Sequence, residues 1–118
     1  EADSLLVIFR SVERALDCAV AMQRAFAQVN QRRTPAEQIL LCIGLGFGRV
    51  LRIGDEDVWG KEVNSASRLG EDTARPGEVL LTAAARLALS GRRDEEFQAL
   101  AESPLVDEVT FRFVPRAP

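Results

Sequence analysis

The sequence predicts an α+β domain. Short apolar runs at residues 5–9 and 39–43 read as strands, the first of them buried, and residues 78–81 as a further short strand. A long stretch, residues 11–29, places apolar side chains at steps of three and four, as an amphipathic helix does. Residues 48–54 and 106–114 alternate apolar and polar side chains, the signature of half-exposed strands. At 118 residues the chain is long enough for one domain with its own core.

Taken in order, 5–9 (Leu-Leu-Val-Ile-Phe) is the first strand, with Asp3 just before it. Ser11 is placed to cap the long helix, and Glu13 suits its first turn. Ala15, Leu16, Ala19, Met22, Gln23, Phe26 and Val29 form its inward stripe. Residues 30–38 are a polar connection containing Pro35. After the strand at 39–43, Gly44, Gly46 and Gly48 alternate with Leu45 and Phe47. This run lacks the spacing and the Lys-Ser/Thr pair of a phosphate-binding loop, so it reads as a bulge or a close backbone approach. Residues 48–54 return as a strand, and Asp55 and Glu56 fill a charged turn.

The next stretch organises the chain. Asp57 lies in the turn, and Gly60 opens a helix in which Val63, Ala66 and Leu69 are spaced to be buried. Asn64 and Arg68, four apart, share a second face. Such a pair is usually a solvated face, and Trp59 is more often core or interface than a ligand platform. An amide beside a forked, permanently charged guanidinium is nevertheless suited to a ribose oxygen and a phosphate. Arg75-Pro76-Gly77 is a turn, 78–81 a strand, and Thr82 caps a short helix to Leu89. Residues 90–96 are a charged loop, 97–100 are ambiguous, and 106–114 read as an edge or half-exposed strand with Val109, Phe111 and Phe113 on one face.

Composition narrows the chemistry. A net charge of −3 argues against a broad nucleic-acid surface. The absence of His removes His-based metal sites and His general-base catalysis. Cys18 and Cys42, both inside apolar elements, read as reduced core thiols. No stretch is long and apolar enough to span a membrane.

Asp57-Val58-Trp59-Gly60, Val63-Asn64, Ala66-Ser67-Arg68-Leu69 and Pro76-Gly77-Glu78-Val79-Leu80 together resemble the signature of class III nucleotidyl cyclases, the adenylate and guanylate cyclases. The resemblance implies a ferredoxin-like, palm-type domain: a mixed, mostly antiparallel sheet with helices on one face. It implies that Asn64 orients the ribose, Arg68 stabilises the triphosphate in the transition state, and Asp57 contacts the purine. Ala2-Asp3 stands where the family carries Gly-Asp, so Asp3 is the implied metal ligand.

The implied reaction converts ATP to 3′,5′-cyclic AMP and pyrophosphate, for intracellular signalling, with two Mg2+ or Mn2+ ions at a site formed between the two copies of a head-to-tail homodimer. The resemblance runs from Ala2 to about Arg86, the later part of a cyclase domain. Residues 1–118 are thus expected to be a partial catalytic domain, cytoplasmic, tethered to a membrane only by segments outside this chain. A second metal-binding Asp and the purine-recognising Lys would lie upstream, so the chain alone is expected to make no cyclic nucleotide. The rival expectation is a cyclase-like module that binds nucleotide or a partner without turnover.

Overall fold

The computed structural model describes residues 4–54, 57–89 and 96–115. Helix α1 spans Val12–Asn30 and begins where Ser11 predicts: the Ser11 side chain accepts a 3.1 Å hydrogen bond from the Arg14 N–H. Strand β1 (Ile43–Leu45) leads to a two-stranded antiparallel ribbon of β2 (Leu51–Ile53) and β3 (Asp57–Trp59). Helix α2 covers Lys61–Arg68 and passes without a break into a π-helical turn, Leu69–Thr73. Strand β4 (Val79–Leu81), helix α3 (Ala83–Ala88), and strands β5 (Phe97–Ala99) and β6 (Phe111–Phe113) complete the order.

The main sheet runs β1-β4-β6-β5; β1 and β4 are parallel, while β4–β6 and β6–β5 are antiparallel. The fold is the mixed α+β class that the sequence predicts. Successive residues of a strand face opposite ways, and the core follows that rule. Val79 and Leu81 of β4 join Leu45, Phe113, α1 (Val12, Leu16, Ala19) and α3 (Ala85) in one cluster. Leu80, between them, packs on the opposite face with Leu69 and Leu105. Strand β4 is therefore buried on both sides, which is why its three residues are all apolar. Helices α1 and α3 share one face of the sheet, and the end of α2 closes the other.

Several sequence expectations are corrected. Residues 5–9 form no strand, and Leu5 is 88% exposed. A strand requires a neighbouring backbone as well as apolar side chains, and no described strand pairs with this run. Beside it, the Ser4 hydroxyl donates to Glu71 Oε1 at 2.7 Å. The strand expected at 39–43 begins only at Ile43: before it, the Leu41 carbonyl still accepts from the Gly77 N–H at 2.9 Å, and a side-chain amide takes the backbone of Ile39. Asn30 bonds both the N–H and the carbonyl of Ile39, and Gln23 donates to the carbonyls of Leu41 and Glu78. The C-terminal half of the α1 stripe is open: Met22 and Val29 are exposed. Of the two readings of the last strand, edge or half-exposed, the second holds: β6 lies inside the sheet between β4 and β5, with Phe111 and Arg112 half-buried. The ambiguous residues near 97 form β5, paired antiparallel with β6. Both cysteines are free and half-buried, as read from the sequence. No helix among the described residues is long and apolar enough to cross a membrane.

Candidate nucleotide-binding helix

Helix α2 starts at Gly60 because only glycine suits that position. Its φ of 157° pairs with a ψ of 156°, and a Cβ there would meet the Arg49 carbonyl at 2.8 Å. From Gly60 the helix runs back along β1. A Cβ on Gly46 would lie 2.7 Å from the Glu62 carbonyl oxygen, and one on Gly48 would lie 2.8 Å from Glu62 Cγ. A Cβ on Gly44 would overlap the Ala66 carbonyl and come within 2.7 Å of the Gly70 nitrogen. The spacing explains the alternation of glycines. Four residues of helix advance about 6 Å and two residues of strand about 6.6 Å, so positions 62, 66 and 70 step along 48–46 and 44 in register. The glycine run is thus a groove for a helix, as the close-approach reading predicts.

This docking sets the direction of the remaining side chains. Asn64 and Arg68 lie two positions beyond Glu62 and Ala66, about 200° around the helix, and so point away from β1. Both are exposed, while Ser65 and Leu69 are buried and Val63 and Ala66 partly buried. The structure therefore brings Asn64 and Arg68 onto one open face. The π-helical turn begins directly after Arg68, with Ala74 N–H bonding the Leu69 carbonyl at 2.7 Å. Turns of this type are frequent at functional sites.

Asp57 is corrected from turn to strand. It opens β3, opposite Ile53 of β2. Opposed residues of a ribbon project to the same side, so Asp57 shares a face with Leu51, Ile53 and Trp59. Those three apolar side chains are 60%, 55% and 57% exposed, which places Trp59 outside the core. Asp57 itself is exposed and sits on a different element from Asn64 and Arg68. Asp3, with Ala2, Asp55 and Glu56, lies outside the described residues.

Among the described residues no group of three or more acidic or Cys side chains is placed to hold a metal ion. The described residues thus do not by themselves build a two-ion site.

Sequence reasoning missed two residues that seat the helix. Lys61 pairs with Glu108 at 3.0 Å, and that hydrogen-bonded partner raises the Lys61 pKa above the usual lysine value. Glu62 Oε1 accepts hydrogen bonds from the Phe47 N–H at 3.0 Å and from the Thr82 hydroxyl at 2.6 Å. An acidic residue in a first helical turn reads locally as a dipole partner, and its distant contacts leave no local signal.

Residues 5–109 match the family model of the adenylate and guanylate cyclase catalytic domain. The chain belongs to this family. Over 95 residues it is 35% identical to a Rhizobium meliloti (strain 1021) protein named "Putative adenylate cyclase 3", covering 80% of this chain and 16% of that protein. The crystal structure of an adenylate/guanylate cyclase/hydrolase from Silicibacter pomeroyi superposes with a TM-score of 0.77 at 26% identity, over 92% of this chain and 66% of that one. The guanylate cyclase domain of RhGC from Catenaria anguillulae, solved with GTP, shares the fold. Its TM-score is 0.66 at 21% identity, over 94% of this chain and 63% of that one. The chain spans less than two thirds of the length of each of these relatives.

Proposed function

We propose that residues 1–118 are the later part of an adenylate cyclase catalytic domain, which converts ATP to 3′,5′-cyclic AMP and pyrophosphate. The observation that carries this reading is the open face of α2, where Asn64 and Arg68 stand together on a helix locked to the sheet. Arg68 donates to the triphosphate as charge develops on it, and Asn64 holds the ribose so that its 3′-oxygen lines up with the α-phosphorus. Asp57 accepts from the purine amino group, which favours adenine. Asp3, with a carboxylate from outside this chain, would hold Mg2+ or Mn2+ ions.

In this reading each site forms between two head-to-tail copies, with Asp3 of one serving Asn64 and Arg68 of the other. The apolar ribbon face of Leu51, Ile53 and Trp59 supports the assembly, since clustered exposed apolar side chains mark contact surfaces. Ile53→Asp is expected to cost about 1 kcal/mol of stability without unfolding the chain, because the residue is open to solvent but faces Asp57 across the ribbon. It should convert a dimer to a monomer in sedimentation and abolish turnover. An unchanged dimer would move the contact elsewhere.

The decisive assay supplies ATP and GTP separately, with manganese or magnesium, to the gene product that carries this chain. Cyclic AMP from ATP is the expected product. Cyclic GMP alone would reassign the purine, and ATP binding without any product would identify a non-catalytic module.

A further inference from the structure

Among the described residues, Glu62 ties α2 both to the segment after β1 and to the start of α3. Its Oε1 accepts from the Phe47 backbone N–H in the segment after β1. The same oxygen accepts from the hydroxyl of Thr82, a fully buried residue. The Thr82 hydroxyl oxygen in turn accepts from the Ala85 N–H and so caps α3. A continuous chain of hydrogen bonds therefore runs from the α3 N-terminus through Thr82 to Glu62 and on to the glycine run. Chains of this kind polarise one another and hold their members in one arrangement. Gly46 and Gly48 leave the room that the Glu62 backbone and side chain occupy.

The consequence for the open face is geometric. Backbone contact with Gly44 and Gly46 limits how close α2 comes to β1. It does not by itself stop the helix from rolling about its axis. The Glu62 carboxylate, two positions before Asn64 and six before Arg68, supplies that restraint near the start of the helix. We infer that Glu62 is a positioning residue, fixing the roll of α2 so that Asn64 and Arg68 meet the nucleotide together. This inference rests on the cyclase reading given above.

The test uses the full gene product with ATP for turnover and 3′-deoxy-ATP, which lacks the attacking hydroxyl, for binding. Glu62→Ala is expected to lower kcat by about tenfold while the Kd for 3′-deoxy-ATP changes less than about threefold, because small misplacement costs the transition state most. Glu62→Gln keeps an oxygen that can accept from Phe47 and Thr82, and it should restore kcat to within about threefold of the unmodified protein. The double variant Glu62→Ala/Arg68→Ala should be slower than Arg68→Ala by clearly less than the full Glu62→Ala factor, since the part of the Glu62 effect that acts through Arg68 is already lost and only the part through Asn64 remains. Thr82→Val, which removes the hydroxyl donor, should give the same kcat-over-Kd pattern and serves if Glu62→Ala does not fold.

A lowered melting temperature with unchanged kcat in these variants would overturn the inference and leave Glu62 a purely structural contact. So would a double variant slower than Arg68→Ala by the full Glu62→Ala factor. If Arg68→Ala itself left kcat unchanged, the cyclase reading would fall, and the positioning role with it.

Discussion

Arg68→Ala is expected to lower kcat/KM for cyclic AMP formation by about 10²–10³-fold, the range seen when one donor to developing transition-state charge is removed. On the proposed reading the loss should appear mainly in kcat, because the guanidinium would matter most when negative charge moves onto the leaving pyrophosphate. Stability should be nearly untouched, since Arg68 is exposed at the end of α2 and the packing residue beside it is Leu69. Arg68→Lys should recover only part of the rate. An ammonium supplies the charge without the planar fork that holds two phosphate oxygens together. Steady-state assays on the full gene product, with melting curves alongside, separate these effects. A variant as active as the unmodified protein would remove Arg68 from the chemistry.

The second large effect is expected at Gly44. A methyl group there would overlap the Ala66 carbonyl, and its other close neighbour is the Gly70 nitrogen at 2.7 Å, so backbone must move to admit it. Overpacking of this kind costs about 1–3 kcal/mol, and the immobility of both neighbours puts Gly44→Ala near the top of that range. Restricting the unfolded chain returns only about 0.4–1 kcal/mol, so the steric term wins. A net loss of about 2 kcal/mol corresponds to a fall in melting temperature of roughly 8 °C for a domain of this size. Activity should fall as well, since α2 carries Asn64 and Arg68 away from the sheet. Thermal unfolding followed by circular dichroism measures the first effect. A melting temperature unchanged by Gly44→Ala would mean that the helix is not seated on the glycine run.

Much of this site was legible in the sequence because its determinants are local. Ser11 and Thr82 cap the helices they were expected to cap, and Gly60 opens α2 with Asn64 and Arg68 on its outer side. The glycine run was also readable as a close approach, although not which helix fills it. The failures share a different cause. Residues 5–9 have strand composition, yet a ladder needs a partner backbone, and no apolar pattern says whether one is present. Asn30 takes over the backbone of Ile39 through contacts set by the tertiary fold. Strand β6 alternates as an edge or half-exposed strand would, and periodicity cannot encode that its neighbours β4 and β5 approach from opposite sides. Glu62 was invisible as an anchor for the same reason: Phe47 and Thr82 lie 15 and 20 residues away.

The seating of α2 on the glycine run also bears on the order in which the chain assembles. The Phe47–Glu62 contact closes a loop of 15 residues, whereas Arg112–Glu78 closes 34 and Gln23–Glu78 closes 55. Loop-closure entropy makes the 15-residue contact cheaper than the 55-residue one by about 1 kcal/mol, several-fold in population. The β1–ribbon–α2 unit is therefore expected to form first and to present a template on which β4 docks in parallel. Refolding kinetics would show it: Gly44→Ala should mainly slow folding, while Leu16→Ala, in α1, should mainly speed unfolding. On that order of events, the segment that carries Asn64 and Arg68 is the nucleus around which the rest of the sheet is laid down.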